Sequence, residues 1–367
     1  PITMLRYARV ILAASSAAGA MEERVAICAL ARDEGPFLAE FLDFYRHGGV
    51  TKAFLYVDDA TVDDTWAVLE PYTARGSVDA FAWPPRPGSA LAAEIRARGW
   101  ANAWEPVTRT RHFTEAAEKN NCTIRHGKRI KPSHCAGHFQ ASSHCVGRAR
   151  SEGYDWIGLI DPDEFWFSPR YGTLPLLLRA ERRRGTVGVG QNAFVYGPGR
   201  QSGACRSLPP ITTTHLLRGN ASKVEHWSKF PWVRLDSVDL NRVKVHEHAF
   251  TNHRCHNCRG ASHNPYHRHA YKNLSCCDAV ARLPDARDLR LNHYQYKSLA
   301  CSREKARRNA NPSSLLSRKK EVLLAEVYDD AILPFVPPKY KGPCLKGGGH
   351  CAEPPASTFT DVREVIQ

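Results

Sequence analysis

The sequence of 367 residues lacks long apolar runs, has no internal repeat and is short of acidic residues. No stretch approaches the roughly 18 consecutive apolar residues of a membrane helix, which excludes a membrane-spanning segment. The 37 Asp and Glu residues are outnumbered by 51 Lys and Arg residues, so the formal net charge is +14. Such a surface should attract anions, whether nucleic acid, a membrane face or a phosphorylated small molecule, and charge alone does not choose among them.

The composition is otherwise that of a folded protein. Apolar residues make up 43%, charged residues 24% and aromatic residues 10%, a mixture that excludes a disordered or collagen-like chain. The length suits one large domain or two ordinary ones. Twelve cysteines are more than a cytosolic enzyme usually carries, and their even number suits disulfides formed in an oxidising compartment. Zinc sites would use the same residues, so both interpretations stay open here.

The first part of the chain alternates strand-like and helix-like segments. Three apolar runs of strand length lie at residues 24–31, 52–57 and 78–83. Amphipathic segments that begin near Pro36 and Asp63 separate them. This order predicts a parallel sheet with crossover helices, in which ligands bind at the carboxyl ends of the strands.

The pattern continues after a basic stretch without clear periodicity at residues 84–139, which we interpret as an insertion. Further predicted elements are a helix at 139–150, strands at 156–160, 186–189 and 193–196, and helices at 302–309 and 315–328. A Cys- and His-rich segment covers residues 246–280.

Two carboxylates follow the apolar run at residues 156–160. Asp161 and Asp163 are one residue apart, and both could direct oxygens at one divalent cation, which could in turn neutralise a diphosphate. A second acidic pair, Asp58 and Asp59, ends an earlier strand. The competing interpretation is that these are ordinary solvated loop residues, since charged side chains normally lie in water.

Five sequence blocks carry a family resemblance. In chain order they are CALARDEGPFLAEFLDFYRHGGV, LYVDDATVDDTWAVLEPYTARGSV, QASSHCV, WIGLIDPDEFWFSP and LNHYQYKS. The sequence resembles glycosyltransferase family 92 and the neighbouring family 2-like enzymes. The resemblance implies a GT-A fold, that is, an α/β fold with a Rossmann-like, mostly parallel central sheet flanked by helices. It also implies a UDP-sugar donor, usually UDP-galactose, a manganese-type cation and inversion at the anomeric carbon.

The resemblance implies site residues as well. For the divalent cation, Mn²⁺ or Mg²⁺, the matching positions are Asp161, Asp163 and His293. For the nucleotide sugar they are Arg32, Asp33, Asp58, Asp161 and Lys297. His293 could instead be an ordinary loop histidine, because motif transfer has a false-positive risk.

The catalytic base is not identified by the sequence. An inverting transfer needs a group that takes the proton of the acceptor hydroxyl. The weak candidates are Glu225, Asp236, His246 and Glu247, each of which could equally be a surface residue. The insertion at 84–139 is longer than the corresponding link in the family, so the donor-loop or acceptor geometry is expected to differ.

The Cys- and His-rich segment has two interpretations. Cys255 and Cys258 have the spacing of zinc ligands, and Cys276 and Cys277 follow. Adjacent cysteines are awkward ligands for one zinc ion, and disulfides are favoured over structural Zn²⁺ for an enzyme of the secretory pathway. Cys28, within the first buried strand, is predicted to be a free core thiol.

These observations predict one catalytic domain at residues 23–310. Residues 1–22 are interpreted as the remnant of a signal, anchor or stem, and 311–367 as a helix with a Pro- and Gly-rich tail. The expected partners are a UDP-sugar and a glycan or glycoprotein acceptor in the Golgi lumen, without nucleic acid and with membrane association only through a missing N-terminal anchor. The alternatives are a phosphatase of the haloacid dehalogenase type and a non-enzymatic, zinc-bearing protein that binds nucleic acid or glycan.

Overall fold

The computed structural model describes residues 22–83, 85–86, 88–97, 132–196, 210–218, 228–238, 281–282, 284–294, 297, 301 and 327–341. Several predicted features lie outside these residues. They are residues 1–21 of the N-terminal segment, the centre of the insertion, the Cys- and His-rich segment, the basic helix at 302–309 and, apart from residues 327–341, the C-terminal segment at 311–367.

The first half of the fold alternates strands and helices as predicted. The elements are β1 (Val25–Ala31), α1 (Gly35–His47), β2 (Lys52–Asp58), α2 (Thr65–Ala74), β3 (Val78–Trp83), α3 (Ala90–Ala97) and α4 (Pro132–Ser151). The start of α1 is fixed by Pro36 in its first turn, a position that needs no backbone N–H. The chain turns after α1 through Gly49, whose φ of 92° disfavours other residues.

The second half contains shorter elements. They are β4 (Trp156–Leu159), β5 (Glu164–Phe167), α5 (Leu174–Arg183), β6 (Gly188–Val195), α6 (Ile211–Thr214), β7 (Leu217–Arg218), β8 (Ser228–Arg234), β9 (Ala281–Arg282), β10 (Arg290–His293) and β11 (Val327–Tyr328). Among the described residues, no helix combines the length and apolar character needed to cross a membrane.

One mixed sheet organises the molecule. Its strand order is β3-β2-β1-β4-β8-β6-β10-β5, with β9 beside β6, and β7 and β11 form a separate pair. The strands β3, β2, β1 and β4 are parallel, whereas β8 is antiparallel to both β4 and β6, and β5 is antiparallel to β10. The predicted α/β class, a central sheet flanked by helices, is confirmed.

Both faces of the sheet are covered, which explains why its strands are apolar without alternation. On one face α1 and α5 pack through buried side chains that include Phe37, Leu38, Phe41, Leu177 and Leu178. On the other face α4 contributes Ala141, Cys145, Val146 and Ala149, which pack against Cys28 and Tyr56.

The structure corrects the prediction for Cys28. Its side chain lies on the face of β1 covered by α4 and forms a disulfide with Cys145, with Cα atoms 6.2 Å apart. This separation is within the usual range for a disulfide. The two cysteines are 117 residues apart in sequence, so no local pattern connects them.

Three element boundaries also differ from the prediction. The helix expected at 139–150 is α4, which begins at Pro132, so it and α3 occupy part of the stretch that we interpreted as an insertion. The strands expected at 186–189 and 193–196 are the single strand β6, whose pairing with β8 shifts register between Val189 and Gln191. Of the helix expected at 315–328, the structure describes only the last two residues, Val327 and Tyr328, which form β11 and pair with β7.

Candidate functional site

The predicted site residues of the first strands lie at one edge of the sheet. Because β1 is parallel to β2 and β4, the carboxyl ends of the three strands lie on the same side. Arg32 and Asp33 follow β1, Asp58 is the last residue of β2, and Asp161 and Asp163 follow β4. The structure therefore brings these five residues to the edge where ligands of parallel sheets bind.

A buried cluster of three side chains lies at this edge. Asp163, Glu164 and His293 each offer a ligand atom, and these atoms lie within 4.8 Å of one another. The Oδ1 of Asp163 is 3.3 Å from Nε2 of His293. The pairing of β5 with β10 places Glu164 opposite His293, and the Tyr294 N–H donates to the Asp163 carbonyl at 2.8 Å. Asp163 and His293 are each 6% exposed, and Glu164 is fully buried.

The donor set of this cluster fits a divalent cation. Carboxylate oxygens suit Mg²⁺ and Mn²⁺, and an imidazole nitrogen suits transition metals, so the combination of both favours Mn²⁺ over Ca²⁺. The two carboxylates carry like charges in a buried site, and burying charge is costly unless it is compensated. A divalent cation would compensate both.

Asp161 lies outside the cluster, although the sequence pattern proposed it as a ligand. The Glu164 N–H donates to the Asp161 carbonyl at 2.9 Å, which closes a four-residue turn between β4 and β5. The turn places Glu164 with Asp163, and Asp161 contacts Glu164 through its own backbone N–H, 3.4 Å from Oε2. Glu164 was part of the recognised block, but nothing in the spacing identified it as a ligand.

The loops after β1 and β2 hold each other in place. Asp33 has a φ of 53°, in the left-handed region that short polar residues tolerate best. Its Oδ1 accepts the Val62 N–H at 2.8 Å, and Asp58 Oδ1 accepts the Ala60 N–H at 2.9 Å. Asp63 joins the two loops, because its Oδ2 accepts the Gly35 N–H at 2.9 Å. At this edge, carboxylate side chains thus accept hydrogen bonds from backbone N–H groups and stabilise the two loops.

Lys297 is buried beside the same edge. Its ammonium group forms an ion pair with Glu34 and lies 3.8 Å from the centroid of the Phe37 ring. The Lys297 carbonyl is hydrogen-bonded to Nε2 of the buried His215. Sequence reasoning named Lys297 but missed Glu34, because the two residues are 263 positions apart.

Asp236 does not lie near the cluster. It follows β8, whose Arg234 is paired with Trp156 at the start of β4, so Asp236 is at the opposite edge of the sheet. Its carboxylate contacts Arg234 at 2.7 Å. Partial burial opposes its ionisation, but hydrogen bonds from Ser237 and Arg234 outweigh this and lower the pKa of Asp236. A carboxylate held in this way is a poor base, and its place at the opposite edge of the sheet separates Asp236 from the cluster.

The other candidate bases, Glu225, His246 and Glu247, lie outside the described residues, and so do the cysteines at 255, 258, 276 and 277. Whether those cysteines form disulfides or bind zinc stays a prediction.

Comparison with known proteins bears on the family. No curated protein matches the chain. Residues 24–131 match glycosyltransferase family 92. The matched segment contains β1, β2 and β3 and the loops with Arg32, Asp33 and Asp58, and it includes the first two of the five blocks on which the resemblance rests. The match confirms that resemblance and supports the assignment of this chain to glycosyltransferase family 92, and thereby to the glycosyltransferases.

Proposed function

We propose that this protein is a metal-dependent glycosyltransferase that moves a hexose, with galactose the first candidate, from a UDP-sugar to a hydroxyl group of a glycan or glycoprotein. The observation that carries the proposal is the buried cluster of Asp163, Glu164 and His293 at the carboxyl edge of the sheet. The family match over residues 24–131 supplies the reaction class.

The chemistry of the transfer explains the need for this cluster. When the bond between the sugar and the diphosphate breaks, negative charge develops on the leaving nucleotide diphosphate. A bound Mn²⁺ or Mg²⁺ would neutralise that charge. Asp163, Glu164 and His293 would hold the ion, and the loops with Arg32, Asp33 and Asp58 would face the nucleoside. Lys297 would add a positive charge near the diphosphate.

The transfer also needs a base. With inversion, the acceptor oxygen attacks the anomeric carbon while its proton passes to a protein group. Glu225, His246 and Glu247 remain the candidates for that group. The basic surface, with a formal charge of +14, would favour the approach of the anionic donor.

We propose the Golgi lumen as the compartment. The support for this is the disulfide between Cys28 and Cys145, because disulfides persist in oxidising compartments and are rare in the cytosol.

The first prediction concerns Asp163. With a panel of UDP-sugars and Mn²⁺, we expect the wild type to transfer or hydrolyse at least one donor. Asp163→Asn should lower kcat/KM by about 100-fold or more, because it removes a charged ligand from the site that stabilises the leaving group. Asp236→Asn is the matched control, since this carboxylate lies at the opposite edge of the sheet, and its activity should stay near that of the wild type.

Two outcomes would count against the proposal. One is a wild type that neither binds nor turns over any UDP-sugar in the presence of Mn²⁺. The other is release of phosphate from simple phosphate esters that depends on Asp163, which would favour the haloacid dehalogenase alternative.

A further inference from the structure

Strand β5, which begins with the candidate ligand Glu164, is the last strand in the sheet order and pairs with a neighbour on one side through β10. The outward-facing N–H and C=O groups of a buried edge strand need other partners, because an unpaired buried backbone group is costly. One tyrosine of α1 is the partner of two of these groups. The hydroxyl group of Tyr45 donates to the Glu164 carbonyl at 2.8 Å and accepts the Trp166 N–H at 3.0 Å.

Packing holds this tyrosine in one place. Tyr45 is 1% exposed, and its ring contacts that of Phe41 with centroids 4.9 Å apart. Phe44, also on α1, contacts Phe165 of β5 at 5.0 Å, and Phe165 in turn contacts Tyr294 at 5.4 Å.

The Tyr45 hydroxyl group therefore holds the backbone of Glu164, one of the candidate metal ligands. Glu164 is the first residue of β5 and directly follows Asp163, and its own carbonyl accepts the Tyr45 hydrogen bond. Ligand geometry depends on the groups that orient the ligands, and loss of such a group typically costs 10- to 100-fold in metal affinity.

We propose that Tyr45 is a positioning residue for the metal cluster: its hydroxyl, bonded to both Glu164 and Trp166, holds the start of β5 so that Asp163 and Glu164 converge with His293. This inference rests on the proposed function, since it assumes that the cluster binds a cation.

The test measures metal binding without turnover. Mn²⁺ is titrated into the full chain by calorimetry, and bound Mn²⁺ is followed by its electron paramagnetic resonance signal, both in the absence of a sugar donor. Tyr45→Phe removes one oxygen atom and keeps the ring. We expect its dissociation constant for Mn²⁺ to rise by about 10- to 100-fold.

Tyr72→Phe is the matched control. The Tyr72 hydroxyl is also hydrogen-bonded to α1, to Oδ2 of Asp43 at 2.9 Å, and Tyr72 is buried. Its loss should lower the midpoint of thermal unfolding in a similar way and leave Mn²⁺ binding unchanged. Should Tyr45→Phe prove too unstable, the titrations are repeated for all three proteins in sucrose, which favours the compact state.

The outcomes separate the two proposals. A wild type that binds no Mn²⁺ contradicts the metal-dependent function itself. A wild type that binds Mn²⁺, together with a Tyr45→Phe variant of equal affinity, overturns the positioning role and leaves the proposed function standing. Equal weakening in Tyr72→Phe would also overturn it, because the effect would then follow general stability.

Discussion

At the scale of single residues, buried polar groups near the candidate site form ion pairs and hydrogen bonds with residues that are far away in the sequence. Lys297 is paired with Glu34, and its carbonyl is bonded to His215, which itself is fully buried. A buried ion pair that loses one partner leaves an uncompensated charge, which typically costs about 3–5 kcal/mol. The described side chains at this edge therefore depend on each other for their placement.

His215 should make the stability of the protein depend on pH. Burial lowers the pKa of His215 below its ordinary value of 6.5, and the nearby Lys297 ammonium acts in the same direction, although the bond to the Lys297 carbonyl opposes them. The unfolded chain thus takes up the proton first, so the stabilising contribution is present above about pH 6.5 and is lost as the pH falls.

We expect the free energy of unfolding of the wild type to fall more steeply on acidification below about pH 6.5 than that of His215→Gln, by at most about 1.4 kcal/mol per pH unit. Glutamine can donate to the Lys297 carbonyl but does not titrate. Urea unfolding at a series of pH values measures the difference. Parallel curves for the two proteins would show that His215 does not titrate with unfolding.

The sequence identified some site residues and missed others for a physical reason. Asp163 and His293 stand in recognisable blocks, and the structure brings them together. Glu164, rather than Asp161, joins them because the turn that ends β4 is closed by a backbone hydrogen bond. The roles inferred for Glu34 and Tyr45 arise from contacts between distant parts of the chain, which no local spacing encodes.

At the scale of elements, the alternation from β1 to β3 was predictable because each strand is a continuous apolar run and each helix has its own start and stop residues. The start of α4 was not, because its first half, PSHCAGHFQ, shows no helical apolar period. Likewise β11 is two residues long and is defined by its pairing with β7, which lies more than 100 positions away. Whether such a short segment forms a strand depends on the strand it pairs with more than on the β-propensity of its own residues.

Helix α6 provides a test at this scale. Its N-terminus is bound by a carboxylate from α1: Glu40 accepts the N–H groups of Ile211 at 2.8 Å and Thr212 at 2.9 Å, and also the Thr212 hydroxyl. Glu40→Ala would leave buried donors unpaired. We expect it to lower the free energy of unfolding by about 1–3 kcal/mol in urea titration.

The control for this experiment is Glu70→Ala on α2. Glu70 is an exposed glutamate, so its replacement should change stability by no more than about 0.5 kcal/mol. Equal effects of the two substitutions would contradict a capping role for Glu40.

At the scale of the whole molecule, the sheet lies between two helical layers, and a disulfide joins the sheet to one of them. Cys28 of β1 and Cys145 of α4 close a loop with a sequence separation of 117 residues. In the chain-entropy account, a cross-link over so long a loop restricts the unfolded state strongly, and native disulfides typically contribute about 2–4 kcal/mol.

We therefore expect the double variant Cys28→Ala/Cys145→Ala to unfold at a lower temperature than the wild type, with a loss of about 2–4 kcal/mol. Thermal unfolding with and without a reducing agent measures this loss. Because reduction breaks the disulfide of the wild type, it should bring the unfolding temperature of the wild type closer to that of the double variant. An unchanged midpoint in the double variant would show that packing alone joins β1 to α4.

The arrangement of the sheet was predictable only in part. The parallel half, β3-β2-β1-β4, follows from the alternation of strands and helices, since parallel strands need crossover connections. The half that contains β8, β6, β10 and β5 is mixed in direction, and its strands come from distant parts of the chain. Nothing local in the sequence orders them.

Helix α1 makes polar contacts with several separate parts of the chain. Glu34 at its N-terminus pairs with Lys297, Glu40 binds the start of α6, and Tyr45 bridges two peptides of β5. An α-helix advances 100° with each residue, so inserting or deleting one residue between these positions would rotate the later contacts away from their partners. In homologous chains, then, the exposed face of α1 is free to change its side chains, whereas its length is expected to be invariant.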